Sequence, residues 1–211
     1  MQTYWIVIAG LKGTGKSTFM DNASETVELR DRIDMSVITE DEQQAVLHWL
    51  ETTGGALDPD RITISPEEEA FHRWMRRVRV GQIDLDARTR VCFYEAPGNR
   101  QFDFLWEVIT PDNLLGSVIV IDSTNHPLIR DASRLAATIA AYAPEPYVFA
   151  ANKQDCENAM PAEDIRILLQ FLDGHLSHVF DCVATKKPDV QRVLIRLLEQ
   201  IRENYDDGIE W

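Results

Sequence analysis

A run of eight residues near the start of the chain has the types and spacing of a polyphosphate-binding loop. Residues 10–17 read G-L-K-G-T-G-K-S, which fits G-x-x-x-x-G-K-[ST], and they lie between a predicted buried strand and a predicted helix. The glycines let successive backbone N–H groups point at phosphate oxygens, Lys16 adds a cation, and Ser17 offers a hydroxyl to Mg²⁺. A chance glycine-rich turn is the alternative. The residues expected to line the nucleotide phosphates are Gly10, Lys12, Gly13, Thr14, Gly15, Lys16, Ser17 and Thr18.

A second set of polar residues, Asn152-Lys153-Gln154-Asp155, directly follows another predicted strand. A carboxylate three residues after the asparagine that ends the strand can accept two N–H donors from guanine. The same carboxylate would repel the acceptor N1 of adenine. The phosphate loop alone is shared by ATPases, nucleotide kinases and GTPases. Asp155 is therefore the residue that predicts a preference for guanine.

Strands and helices alternate along most of the chain, and this order positions both sets. Residues 114–121 form a continuous apolar run that ends at Asp122, which is typical of a central strand in a parallel sheet. The alternation predicts an α/β domain with a mainly parallel sheet and a ligand at the carboxyl ends of its strands. Strands are predicted at 4–9, 78–85, 91–94, 114–121, 147–151 and 179–183, and helices at 17–24, 132–139, from 161 onward and at 190–201.

One segment interrupts the alternation. Residues 26–75 are predicted to be an insertion within a single domain of residues 1–211, and residues 204–211 form an acidic tail. Inside the insertion we expect a strand at 33–37 and helices that begin near Thr39 and Ser65. The aromatic residues of these helices share one face, so packing on the main domain is the expected role rather than contact with a cofactor.

Composition limits the partners and the compartment. The net charge of −14 would repel an extended nucleic acid or an anionic membrane. Cys92 and Cys182 lie in apolar strand-like runs and no C-x-x-C pair is present, so reduced thiols in the cytoplasm are expected. The chain shows no signal peptide, membrane-spanning run or lipidation motif, so no stable membrane anchor is expected.

Together the two motifs make the chain resemble the Ras-like small GTPases over residues 1 to about 25 and 76–203. The resemblance implies the P-loop NTPase (Ras-like) fold, with GTP or GDP and Mg²⁺ as ligands. It also implies that Asn152 ties the base site to the phosphate loop and that the stem of Lys153 packs over the base. Ala184 matches the alanine whose N–H contacts the guanine carbonyl, and Thr185 replaces the usual lysine beside it.

Among these proteins, the chain looks most like bacterial GTPases related to the gliding-motility polarity switch. Val80-Gly81-Gln82-Ile83 precedes a segment, residues 95–106, that resembles the second switch. In this segment Gly98 should donate its N–H to the γ-phosphate. The aspartate that approaches Mg²⁺ through water is Glu95 here, one methylene longer, and the glutamine that orients the attacking water is Asn99, one methylene shorter.

The region of the first switch differs more from the pattern of the Ras-like small GTPases, because no threonine precedes the strand at Val78. Thr39 or Thr63 could substitute, although a surface role is the default for both. Arg76 and Arg77, with Arg73 and Arg79 nearby, are candidates for a cation that offsets charge in the transition state, against the alternative of solvated ion pairs.

Two other sets of residues resemble metal ligands. Asp122 ends an apolar strand in the Walker B manner and could be the carboxylate beside Mg²⁺, but Glu95 occupies the position that the resemblance implies and is preferred. His175, His178 and Cys182 lack a fourth ligand for zinc, so ordinary solvated or core side chains are expected.

These observations predict a GTP/GDP-binding switch with slow intrinsic GTP hydrolysis. The departures at the switches keep open a nucleotide-locked pseudo-GTPase that acts as a binding module, and a P-loop ATPase or kinase is the other alternative. By resemblance, a Roadblock-type regulator is expected to bind the second switch, where Phe102, Phe104, Leu105 and Trp106 are apolar.

Overall fold

The computed structural model describes residues 2–28, 79–96, 114–142, 146–173 and 178–206. A compact unit formed by Met1–Glu28 and Val80–Trp211 contains all of these residues except Arg79. The predicted insertion and the end of the acidic tail lie largely outside the described residues.

A seven-stranded sheet runs through the described part of the chain in the order β2-β3-β4-β1-β5-β6-β7. The five strands from β4 to β7 along this order are parallel, whereas β3 pairs antiparallel with both β2 and β4. The strands are β1 (Gln2–Ala9), β2 (Thr26–Glu28), β3 (Val80–Asp84), β4 (Thr89–Glu95), β5 (Leu114–Asp122), β6 (Tyr147–Asn152) and β7 (Val179–Asp181).

Four described helices cover the sheet: α1 (Lys16–Ala23), α2 (His126–Tyr142), α3 (Ala162–Asp173) and α4 (Lys187–Asp206). Helices α1 and α4 pack on each other and share a buried core with alternate residues of the strands, among them Ile6, Phe93 and Val120. The intervening strand residues, such as Ile119, are also buried and point to the other face, where α2 packs on β5. Both faces of the central strands are therefore covered, which explains their continuous apolar runs.

The described elements agree with the α/β architecture predicted from the alternation of apolar patterns. β3 ends at Asp84, so the strand predicted over 78–85 is one residue too long at this end, and Leu85 lies in the following turn with 58% of its surface exposed. Strand β2 lies at the sheet edge within the range assigned to the insertion. No helix of the described part is both long and apolar enough to cross a bilayer.

Candidate nucleotide-binding site

The phosphate loop joins the end of β1 to the first turn of α1. Its three glycines, Gly10, Gly13 and Gly15, have φ values of 145°, 82° and 97°, in the region that favours residues without a side chain. This conformation curls the loop between the buried end of β1 and the start of α1 at Lys16. Two of these glycines, Gly10 and Gly15, are the ones that the motif specifies, and Gly13 occupies one of its variable positions.

Polar contacts within the loop hold its shape. The Thr14 Oγ1 hydroxyl donates to the carbonyl of Leu11 at 3.0 Å, and Lys16 Nζ donates to the same oxygen at 2.9 Å. Lys16 is buried, with 8% of its surface exposed. Burial lowers the pKa of its ammonium group, and the nearby charge of Glu95 acts in the opposite direction. Lys12, by contrast, is exposed on the loop.

The two residues predicted to face Mg²⁺ are in direct contact. Ser17 is in the first turn of α1 and Glu95 is the last residue of β4, and the Ser17 Oγ hydroxyl donates to Glu95 Oε1 at 2.6 Å. Hydroxyl and carboxylate oxygens are hard ligands of the kind that Mg²⁺ prefers. The donor chemistry of this pair therefore fits the metal that the fold implies.

Asn152 connects the phosphate loop to the loop after β7. Its side chain donates from Nδ2 to the carbonyl of Thr14 at 2.8 Å and accepts at Oδ1 from the N–H of Ala184 at 2.7 Å. The side chain is able to approach because Gly15 has no Cβ, since a Cβ there would lie 2.3 Å from Nδ2. Asn152 is buried, and both of its described partners are buried as well. The bridge spans 138 residues in sequence.

Ala184 is held from its other side by a residue that the sequence analysis missed. Asn22, on α1, donates from Nδ2 to the carbonyl of Ala184 at 2.9 Å and to the carbonyl of Thr18 at 3.1 Å. The N–H of the neighbouring Val183 donates to Asp189 Oδ2 at 3.1 Å. The backbone of residues 183–184 is therefore held by side chains from β6, α1 and α4.

Lys153 adopts a left-handed backbone conformation, with φ of 68°, directly after β6. Its Nζ forms an ion pair with Asp122 Oδ2 at 2.5 Å. The other oxygen of Asp122 accepts from the N–H of Thr124 at 3.0 Å and from its hydroxyl at 2.6 Å. Burial raises the pKa of the Asp122 carboxyl, but the hydrogen bonds from Lys153 and Thr124 outweigh this effect and lower it below its usual value. Asp122, the second candidate for the metal-side carboxylate, is thus engaged with Lys153, and Glu95 is the carboxylate beside Ser17.

The remaining residues predicted to contact the base lie on the same two loops. Asp155 is exposed in the turn that follows Asn152, and Thr185 is exposed directly after the buried Ala184. Gln154 anchors the turn, since its Nε2 donates to Ser123 Oγ and to the carbonyl of Met160, both at 2.9 Å. The carboxylate of Asp155 therefore projects from a turn that is fastened at several points.

Several predicted site residues lie outside the described residues. These are Gly98 and Asn99, the arginines Arg73, Arg76 and Arg77, the apolar residues Phe102, Phe104, Leu105 and Trp106, the threonines Thr39 and Thr63, and His175. Within the described residues, no group of three His, Cys, Asp or Glu side chains is gathered in a way that could hold a metal ion. A nucleotide-bound Mg²⁺ commonly uses only one or two protein carboxylates together with phosphate oxygens.

Comparisons with known proteins show the fold of the chain. No protein-family model matches it, and no curated protein matches its sequence. It is similar to the solved structure of the Arl6 (BBS3) small GTPase from Trypanosoma brucei with the bound nucleotide analogue GppNp. The TM-score is 0.58 at 19% sequence identity, and the match covers 96% of this chain and 99% of that chain. The chain thus has a Ras-like small-GTPase fold, which confirms the fold class predicted from the sequence.

Proposed function

We propose that this protein is a guanine-nucleotide-dependent switch that binds GTP and GDP with Mg²⁺ and hydrolyses GTP slowly. The observation that carries the proposal is the Asn152 side chain, which links Thr14 of the phosphate loop to Ala184 of the loop after β7. A nucleotide has a polyphosphate at one end and a base at the other. A buried amide that connects a phosphate-binding loop to a second loop is therefore suited to hold both ends in one orientation.

Guanine is the base that the loops after β6 and β7 are together suited to bind. The Asp155 carboxylate can accept from the N1–H and the exocyclic amine of guanine, whereas adenine would present an acceptor at N1. The N–H of Ala184 is held by Asn152, and the carbonyl of Ala184 is held by Asn22, so the backbone near the base has a defined position. The Lys153–Asp122 ion pair fixes the end of a lysine stem that can pack against the base.

Phosphates and Mg²⁺ would be bound at the other end of the site. Lys16 and the N–H groups of the loop would bind phosphate oxygens, and Ser17 and Glu95 would hold the metal. When bound, Mg²⁺ would neutralise charge on the phosphates. Gly98 is proposed to donate its N–H to the γ-phosphate, and Asn99 to orient the attacking water less well than a glutamine would. A positioning loss of this kind can slow a reaction by roughly 10²-fold.

The base preference can be tested by competition binding with GDP, ADP and xanthosine diphosphate. We expect GDP to displace a fluorescent GDP analogue far better than ADP does. Asp155→Asn should shift the preference toward xanthosine diphosphate, because the amide can donate to the carbonyl that replaces the guanine amine. Glu157→Gln removes an exposed acid two positions further along the chain and is the matched control. Equal competition by ADP and GDP in the parent protein would refute the guanine assignment and favour an ATPase or a kinase.

A hydrolysis assay distinguishes the proposed slow switch from a nucleotide-locked binding module. The departures at Glu95 and Asn99 keep the locked module open as the alternative. Single-turnover assays should show slow conversion of bound GTP, and Asn99→Gln should raise the rate. Arg76→Ala and Arg77→Ala should lower it with little change in GDP affinity if either guanidinium offsets charge in the transition state. GTP that stays intact in the parent and in Asn99→Gln would identify the locked module.

Regulation through the second switch is the remaining part of the proposal. The apolar residues Phe102, Phe104, Leu105 and Trp106 support it, together with the resemblance to gliding-motility GTPases. A dimeric Roadblock-type regulator should therefore bind with different affinities to the GDP form and to a form with a GTP analogue. Identical affinities for the two forms would refute this part.

A further inference from the structure

The pairing of β4 with β1 determines how close Glu95 comes to Ser17. The strand register places Glu95 of β4 opposite Ile8 of β1, and the N–H of Ala96 donates to the carbonyl of Ile8 at 2.9 Å. β4 is therefore held to β1 up to the beginning of the phosphate loop. The end of β4 brings a carboxylate to the first turn of α1.

The face of β4 determines where this carboxylate points. Val91 and Phe93 belong to the core beneath α1, in which Phe19 and Met20 are buried, and Glu95 is the next alternate residue of the strand. The Glu95 side chain therefore extends on the same side of the sheet as α1. Its length is sufficient for Oε1 to lie 2.6 Å from Ser17 Oγ, with no water or third residue needed between them.

We infer that Glu95 binds the nucleotide-associated Mg²⁺ directly, in its first coordination shell, and not through a water molecule. The inference rests on the proposed function. Ligands on adjacent corners of an octahedron with metal–oxygen distances of about 2.0–2.1 Å lie about 2.8–3.0 Å apart. The Ser17 and Glu95 oxygens are 2.6 Å apart, so a separation of a few tenths of an ångström, with the hydroxyl proton of Ser17 rotated away from Glu95, allows one Mg²⁺ to bind both.

An aspartate at position 95 could not do this without movement of the backbone. Its carboxylate would lie back by one carbon–carbon bond, about 1.5 Å, which puts its oxygen roughly 3.5 Å from a metal held at bonding distance from the glutamate. That distance is too long for a Mg²⁺–oxygen bond, and a water would have to complete the coordination. With glutamate at position 95, a carboxylate oxygen of the protein therefore takes the coordination position that a water would fill if the residue were aspartate.

The test counts metal-bound waters and does not depend on GTP hydrolysis. Mn²⁺ replaces Mg²⁺ in the GDP complex, and broadening of its electron paramagnetic resonance lines in ¹⁷O-enriched water reports the number of coordinated waters. The parent should show one coordinated water fewer than Glu95→Asp. The same substitution should weaken Mn²⁺ binding to the GDP complex by at least roughly 10-fold, since even the loss of a residue that only supports a metal ligand typically costs 10- to 100-fold in metal affinity.

Two further variants sharpen the measurement. Glu95→Gln keeps the length of the side chain and should keep the water count of the parent, while weakening metal affinity through the loss of charge. Glu25→Asp makes the same chemical change at an exposed position after α1, and it should match the parent in water count and in affinity. Equal water counts for the parent and Glu95→Asp, with GDP bound to both, would overturn this inference alone. A parent protein that retains no Mn²⁺·GDP would overturn the proposed function together with it.

Discussion

Removal of the Asn152 side chain should uncouple the phosphate loop from the loop after β7. Asn152→Ala leaves the carbonyl of Thr14 and the N–H of Ala184 without their present side-chain partner, and both residues are about 3% exposed. Each buried polar group left unpaired costs about 1–3 kcal/mol, so the two together set a range of about 2–6 kcal/mol. Because a water can enter beside the phosphate loop, we expect the lower part of that range, about 2–4 kcal/mol.

Part of this loss should appear in nucleotide binding, because the nucleotide itself must then hold the two loops in place. If about 1.4–2.8 kcal/mol of the lost free energy appears as weaker GDP binding, the affinity for GDP falls by roughly 10- to 100-fold. The measurements are GDP titration calorimetry and urea unfolding of nucleotide-free protein. Asn152→Asp should weaken GDP binding at least as much as Asn152→Ala, since it keeps the acceptor for Ala184 but turns a carboxylate oxygen toward the carbonyl of Thr14.

The matched control is Asn158→Ala, which removes an exposed asparagine from the same segment of chain. It should leave GDP affinity and unfolding close to the parent values. If Asn152→Ala binds GDP within twofold of Asn158→Ala, the bridge does not organise the nucleotide site. A loss of unfolding free energy with no loss of GDP affinity would assign Asn152 to stability alone.

Three further predictions concern the described core. Asp122 has a lowered folded pKa, so its carboxylate stabilises the protein above its unfolded pKa of about 3.9 and loses this effect as pH falls through the lower folded value. Asp122→Asn should therefore reduce unfolding free energy at pH 7, and its difference from the parent should shrink below about pH 4 in urea titrations. Gly81→Ala places a Cβ 1.9 Å from Ser24 Oγ and should destabilise by about 1–3 kcal/mol, with recovery in the double variant with Ser24→Gly. Maleimide at pH 7 should label the exposed Cys156 of the native protein much faster than Cys182, because burial raises the Cys182 pKa to about 12.

The sheet could be predicted well from the sequence where its strands are buried on both faces. The apolar runs of β5 and β6 leave few alternatives, because only a covered central strand makes so continuous a pattern favourable. β2 carries no comparable signal: Thr26-Val27-Glu28 is three residues long and lies at the sheet edge. Its pairing with β3 comes from tertiary contact, to which a local periodicity does not respond.

The candidate site likewise contains residues that the sequence predicts and residues that it does not. The glycines, Lys16 and Ser17 were predictable because their chemistry is local and their spacing is tied to one strand, one loop and one helix. Asn22 was missed because its partner Ala184 is 162 residues away, and an asparagine inside a helix has no distinctive pattern. The contact of Lys153 with Asp122 was missed for a related reason. Their local patterns suggest separate roles, and only the neighbouring ends of β5 and β6 bring the two residues together.

These distant contacts also explain how the short loop after β7 can be well positioned. The backbone of Ala184 is fastened at its N–H by Asn152 and at its carbonyl by Asn22, so its position is defined by β6 and α1 together. Because Asn152 also holds Thr14, a displacement of the phosphate loop would strain the same contacts that orient the loop after β7. If the chain binds a guanine nucleotide as proposed, its phosphate and base ends would be bound by loops that share one buried network. Such preorganisation reduces the ordering that binding must otherwise provide, and it is the physical reason to expect Asn152 to influence nucleotide affinity more strongly than any single exposed contact with the base.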